Sequence, residues 1–205
     1  MKEGIFIVFE GLDGAGTTTQ MRKLGEKYAE RGRRVFMTNE PTDNPTGKLV
    51  RSVLQKKFFT TPAALALLYA ADRDDHLYNA DYGITGHLRG GEIVISDRYF
   101  YSSYAYQSVE CEPSFVLDIN SRFPHPDVII FIDTPVGNCL DRIEKRGQEK
   151  ELFEREEYLK AVRKNYLSVF STLPEPVTLI TIDGTGTIDG ITEEIISKLT
   201  CLSLL

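Results

Sequence analysis

The 205-residue chain contains no tryptophan, only three cysteines and three histidines, and no long apolar run. Cys111, Cys139 and Cys201 lie far apart and form no CxxC pair, so neither a zinc site nor a disulfide framework is indicated. Free thiols fit a reducing compartment. His76, His87 and His125 are equally scattered, which argues against a metal cluster. The first apolar segment, Ile5 to Phe9, is too short for a signal peptide and is flanked by Glu3 and Glu10. No stretch approaches the roughly 20 apolar residues that span a bilayer. In the final CLSLL, Cys201 is the fifth residue from the end, one place off the prenylation pattern. Positive charge is short as well: the formal net charge is -6. That excludes a broadly basic nucleic-acid surface and leaves room only for local phosphate sites. The expectation is a soluble cytoplasmic protein with no nucleic-acid or membrane partner.

What is present is ordinary for a globular chain, 41% hydrophobic and 26% charged. The length suits one domain, residues 1–205, with ample core. Five segments rich in β-branched and aromatic residues are predicted as strands: Ile5–Phe9, Arg33–Thr38, Glu92–Ser96, Asp127–Ile132 and Val177–Ile182. Runs such as VIIFI read as strands buried on both faces of a parallel sheet. Helical patterns fall between and after them, at Thr18–Arg31, Thr46–Gln55, Pro62–Arg89, a Tyr101–Ser121 region, Val136–Arg146, Arg155–Thr172 and Ile188–Leu199. This alternation predicts an α/β fold, a five-stranded parallel sheet flanked by helices.

In such sheets, ligands bind beyond the carboxyl ends of the strands. The first strand runs into EGLDGAGTTT, the second into TNEPTD, the third into SDRYFYSS and the fourth into DTP. Four polar strand endings on one edge point to a built site.

The first ending is nearly a phosphate-binding P-loop. Gly11 and Gly16 have the motif's spacing, Gly14 adds freedom to the turn, and Thr18 matches the hydroxyl that reaches Mg²⁺. The lysine position holds Thr17. An ordinary strand-to-helix turn capped by Thr17, Thr18 and Thr19 would look similar, so the third ending matters. There Asp97 suits water-mediated magnesium binding, and Arg98 suits a bidentate phosphate clamp. A surface salt bridge is the plainer reading of that pair.

Across nearly its whole length the chain resembles the thymidylate kinase (dTMP kinase) family of P-loop nucleoside-monophosphate kinases. The resemblance is carried in order by FEGLDGAGTTTQ, NEPTDNPTGKLVR, LLYAADRDDHL, SDRYFYSSYAYQ, PDVIIFIDTP and CLDRIEKRG. It implies transfer of the γ-phosphoryl group of Mg-ATP to dTMP, with ATP and Mg²⁺ as companions of the reaction and a homodimeric assembly. Gly11, Leu12, Asp13, Gly14, Ala15, Gly16, Thr17 and Thr18 would cradle the ATP phosphates. Thr18 and Asp97 would serve the metal. Tyr69 would stack on thymine and Arg73 would bond a base carbonyl; four residues apart on a helix, the two share a face. Ser103 and Gln107 would complete base recognition, and Tyr106 would crowd the ribose 2′-position. Asp13 would accept from the 3′-hydroxyl, and Arg98, with Arg51 nearby, would hold the acceptor phosphate. A short lid over 141–156 would place Arg142 beside adenine and carry Lys145, Arg146 and Lys150 towards the transferring group. DGTGTIDG, from Asp183 to Gly190, fails as a dinucleotide fingerprint because Asp189 stands where the third glycine belongs. In the resembling family that loop lies near adenine.

Two departures stand out. Most members carry lysine where this chain has Thr17, and many carry arginine where it has Asn39. Losing one preorganised donor costs on the order of 10²–10³ in rate. A lid cation filling the gap, a slower enzyme, and nucleotide binding without turnover all remain readings of Thr17. So does a kinase for another nucleoside monophosphate. A switch GTPase is disfavoured, since no guanine-reading Asn-Lys-x-Asp run occurs.

Overall fold

The computed structural model describes residues 4–145, 152–153 and 155–205. Its sheet contains β1 (Ile5–Gly11), β2 (Val35–Asn39), β3 (Ile93–Asp97), β4 (Val128–Asp133) and β5 (Thr178–Asp183), in the order β2-β3-β1-β4-β5. Every pairing is parallel. The helices are α1 (Thr17–Glu30), α2 (Pro45–Leu54), α3 (Pro62–Tyr78), α4 (Ile84–Arg89), α5 (Phe100–Tyr106), α6 (Pro113–Asn120), α7 (Val136–Lys145), α8 (Glu156–Phe170) and α9 (Ile188–Cys201).

Burial follows strand position. The inner strands β1, β3 and β4 are almost wholly buried, whereas β2 and β5 at the edges are partly covered. This is why the inner three read as unbroken apolar runs. Helix α1 packs on β1, β2 and β3 and against α9, which covers β5, while α5 lies between β1 and α8. Because β2 and β3 fall on one side of β1 and β4 and β5 on the other, the chain reverses direction across the sheet at β1. That reversal opens a crevice at the strand carboxyl ends.

Two predicted helices are divided. The Pro62–Arg89 pattern breaks after Tyr78, where Asn79 turns to ψ 135° and its side-chain oxygen accepts from Asp81 N at 3.0 Å. Gly83 then allows a close return: a Cβ there would sit 2.4 Å from the Asn79 carbonyl oxygen. The Tyr101–Ser121 region becomes α5, a single 3-10 turn at Gln107–Val109, and α6, which starts at Pro113. Proline fits a first helical turn but not a helix interior.

Candidate active site

β1 delivers the chain to the centre of the sheet edge, and the turn from Leu12 to Gly16 leads directly into α1. Gly14 has φ +84°, and a Cβ there would lie 2.5 Å from the Cys139 carbonyl oxygen. Gly16 caps α1 in the left-handed region at φ +103°. Both positions demand glycine, and the helix start behind them favours an anion. Thr17 turns inward and is 6% exposed; its methyl lies where a Cβ on Gly11 would meet it at 3.1 Å. It therefore contributes shape and a backbone N–H, but no charge. Arg142 on α7 donates to the carbonyls of Gly14 (3.3 Å), Ala15 (3.0 Å) and Gly184 (2.8 Å). One guanidinium thus ties the P-loop to the DGTG loop after β5.

Thr18 Oγ1 hydrogen-bonds Asp97 Oδ2, while Asp97 Oδ1 is buried without a hydrogen-bond partner among the described residues. A hydroxyl beside an unspent carboxylate oxygen fits a hard divalent cation. No group of three or more His, Cys, Asp or Glu among the described residues forms a metal cage. A cation held here would draw its remaining ligands from phosphate and water, the usual habit of Mg²⁺.

Arg98 leaves β3 with φ 73°, a strained conformation for a residue with a side chain, and its N–H donates to Phe9 O at 2.8 Å. Its Nη1 reaches Gly11 O (3.0 Å), Ser102 Oγ (3.1 Å) and Tyr166 OH (3.3 Å), and its Nη2 pairs with Asp13 Oδ1 at 2.7 Å. The guanidinium also lies 5.1 Å from the Tyr106 ring centroid. Burial alone would lower its pKa, but Tyr106, Asp13, Tyr166 and Asp97 reverse that and hold it well above the usual range. Tyr106 OH accepts from Asp13 N (3.0 Å) and donates to Asp13 Oδ2 (3.1 Å). Asp13, Arg98 and Tyr106 therefore form one unit.

The neighbouring cavity has a volume of about 380 Å³, and Tyr69, Arg73, Gln107, Arg51, Asp97 and Phe153 are among its walls. Arg73 is 1% exposed and ion-paired with buried Glu40 at 2.7 Å. It also donates from Nη1 to Asn120 and from Nη2 to Ser103 Oγ at 3.2 Å. His76 completes the cluster between Thr38 Oγ1 (2.6 Å) and Glu40 Oε1 (3.1 Å). Ser103 stands behind Arg73, whereas Tyr69 and Gln107 face the cavity. Arg51 donates to Pro41 O and lies 3.5 Å from exposed Asp43.

A P-loop, a hydroxyl–carboxylate pair, a buried arginine against an acidic loop and an aromatic-walled cavity thus share one sheet edge. A family model described as Thymidylate kinase matches residues 9–195. The chain belongs to the thymidylate kinase family. A relative from Treponema pallidum (strain Nichols), itself only provisionally named a thymidylate kinase, is 41% identical over 95% of this chain and 94% of its own. A Pyrococcus horikoshii protein named a probable thymidylate kinase is 40% identical over 84% of this chain and 85% of its own. The solved thymidylate kinase of Candida albicans has the same fold, with a TM-score of 0.81 at 23% identity over 98% of this chain and 93% of that one.

Arg146 and Lys150 lie outside the described residues, as do the rest of 146–151 and residue 154 of the expected lid; Lys145 ends α7 and is exposed. Sequence reasoning did not single out Arg22, which lines the cavity on α1 one helical turn after Thr18. The four-residue spacing from Thr18 was a signal for it. Glu10, Ser102, Tyr166 and Asn120 were missed too. Glu10 is fully buried in β1, and burial pushes its pKa from the usual 4.5 to about 7, against the lowering effects of Ser102, Arg98, Tyr166 and Tyr99. A carboxyl raised on folding favours the folded chain most when protonated. Its contribution therefore declines as pH rises from about 4.5 to about 7.

Proposed function

We propose that the chain transfers the γ-phosphoryl group of Mg-ATP to dTMP, giving dTDP and ADP. The observation that carries this reading is the placement of Arg73 and Tyr69, one helical turn apart on α3, in the wall of the cavity that also receives Asp97 and Arg98. Arg73 Nη1 has two hydrogens, of which Asn120 takes one, so an N–H remains for a base carbonyl. Tyr69 supplies the stacking face, Gln107 lines the same cavity, and Ser103 fixes Arg73 from behind. The Tyr106 ring, locked to Asp13, crowds the 2′-position and favours deoxyribose.

The nucleophile is a phosphate oxygen of the acceptor. It is already anionic, so the chain needs alignment and charge rather than a strong base. Arg98 aligns that phosphate with Arg51 at the cavity wall, and Asp13 accepts from the 3′-hydroxyl while anchoring Arg98. The backbone from Gly11 to Thr18 and the guanidinium of Arg142 frame the donor. Thr18 and Asp97 would hold Mg²⁺, which neutralises charge on the phosphate oxygens. Lys145 and Arg146 on the lid are the proposed cations for the charge that Thr17 lacks. A homodimer in the cytoplasm completes the reading. It is supported by exposed apolar side chains on and between α2 and α3, notably Leu49, Phe59 and Leu67, and by the absence, among the described residues, of a helix long and apolar enough to cross a membrane.

The test is ADP formation with Mg-ATP and each of dTMP, dUMP, dCMP, dAMP and dGMP. Turnover should be selective for dTMP. An equal response to every acceptor would remove thymine recognition from the site.

A further inference from the structure

We propose that Glu10 is a positioning residue for the acceptor-phosphate arginine: its ionised carboxylate orients the Ser102 and Tyr166 hydroxyls so that both present lone pairs to Arg98. The inference rests on the dTMP kinase reading and deepens it. Glu10 does not touch the cavity. Its Oε2 receives Ser102 Oγ at 2.6 Å and Tyr166 OH at 2.8 Å, and the two hydroxyl oxygens lie 2.8 Å apart. On their other side, both stand within hydrogen-bonding distance of Arg98 Nη1, at 3.1 and 3.3 Å. Its Oε1 receives the N–H groups of Tyr99 (2.9 Å) and Ser102 (3.3 Å). Tyr99, the N-cap residue of α5, offers no side-chain cap, so a carboxylate from the central strand performs that task. Glu10 therefore links the start of α5, the α8 tyrosine and the strained Arg98 backbone beside it.

Hydrogen counting gives the mechanism. Ser102 and Tyr166 each have one hydroxyl hydrogen. With Glu10 ionised, both can point at the carboxylate, and both oxygens then present lone pairs to Arg98 Nη1, whose two hydrogens they share with the Gly11 carbonyl. A proton on Glu10 adds a third hydrogen among the three groups and turns the Tyr166 hydroxyl hydrogen towards the Gly11 carbonyl, 3.4 Å away, which Arg98 Nη1 also uses. Arg98 then loses an acceptor and its fixed orientation. Among the described residues, the titratable and charged groups that face Glu10 are Arg98 after β3, Tyr101 from α5 and Tyr166 from α8, while Tyr99 meets it through its backbone N–H. Its cross-strand neighbour on β4, Phe131, is apolar. Burial leaves Glu10 half-ionised near pH 7, so its state changes across the working range.

The experiment is the pH profile of kcat/KM for dTMP and for ATP, in wild type, E10Q and Y166F. In wild type, kcat/KM for dTMP should rise through a limb near pH 7, separate from the limb near pH ~6 that the substrate's own phosphate contributes. E10Q should lose the upper limb, keep the lower one, and raise the KM for dTMP about tenfold while the KM for ATP moves less than about twofold. Y166F, which keeps the carboxylate and removes one hydroxyl, should keep the upper limb with a KM increase for dTMP of about threefold. Loss of stability alone would move neither the limb nor the ratio of the two KM values. If E10Q retains the upper limb, or if both variants raise the two KM values equally, the proposal is overturned. If E10Q does not fold, Y166F and the wild-type profile decide between the same outcomes. A wild-type chain that phosphorylates no dTMP would overturn the parent reading instead, a result distinct from normal turnover with an unchanged profile.

Discussion

The acceptor half and the donor half of the site are built differently. Around the acceptor, charges are already matched: Arg98 with Asp13 at 2.7 Å, and Arg73 with Glu40 at 2.7 Å. Aromatic rings surround them, with Tyr106 beneath Arg98 and Tyr99 beside Arg73. Around the donor, the described residues offer backbone N–H groups, a hydroxyl–carboxylate pair and Arg142, which gives three of its N–H donors to carbonyl oxygens. Thr17 adds no charge there. The acceptor half is preorganised by buried side chains; the donor half, among the described residues, offers mainly backbone shape, and the proposed reading assigns the remaining charge to lid cations. Selectivity and turnover should therefore fail separately.

The largest break is expected at Arg98. Replacing it by alanine removes the proposed acceptor-phosphate ligand and the ion-pair partner of Asp13, and kcat/KM for dTMP should fall by about 10³ while ATP binding changes little. Initial-rate kinetics with both substrates checks this, and an equal loss for both would merge the two halves. A smaller break is expected at Arg73. Arg73→Ala strands buried Glu40, which should lower the unfolding free energy by about 3–5 kcal/mol in a denaturant titration. In the protein that remains folded, affinity for dTMP should drop about tenfold or more with ATP affinity retained. Equal weakening of both ligands would contradict the assignment.

Much of this plan was legible in the sequence. Unbroken apolar runs revealed the inner strands, and the polar endings of β1, β2 and β3 revealed the sheet edge that holds the site. What stayed hidden was side-chain pairing over long separations. Nothing local to Glu10 shows that a strand glutamate will cap α5 and meet Tyr166, 156 residues later. Nor does Asn120 at the end of α6 indicate that it will bond Arg73 on α3. The breaks after Tyr78 and before Pro113 carried signals, Asn79 with Gly83 and Pro113 itself, which the strong helical patterns around them obscured. Arg98 and Asp13 were each assigned to a substrate group; that they hold each other required the fold.

The smallest expected effect bears on the central claim, that a P-loop lacking lysine still supports transfer because the rest of the site supplies alignment and charge. The direct measurement is kcat with saturating Mg-ATP and dTMP for the native chain and for Thr17→Lys, with dTMP affinity recorded for both. The native chain should turn over at a rate within about tenfold of the variant, well short of the 10²–10³ that loss of a preorganised donor costs. A native chain that binds dTMP normally and releases no ADP, beside a variant that does, would contradict the account.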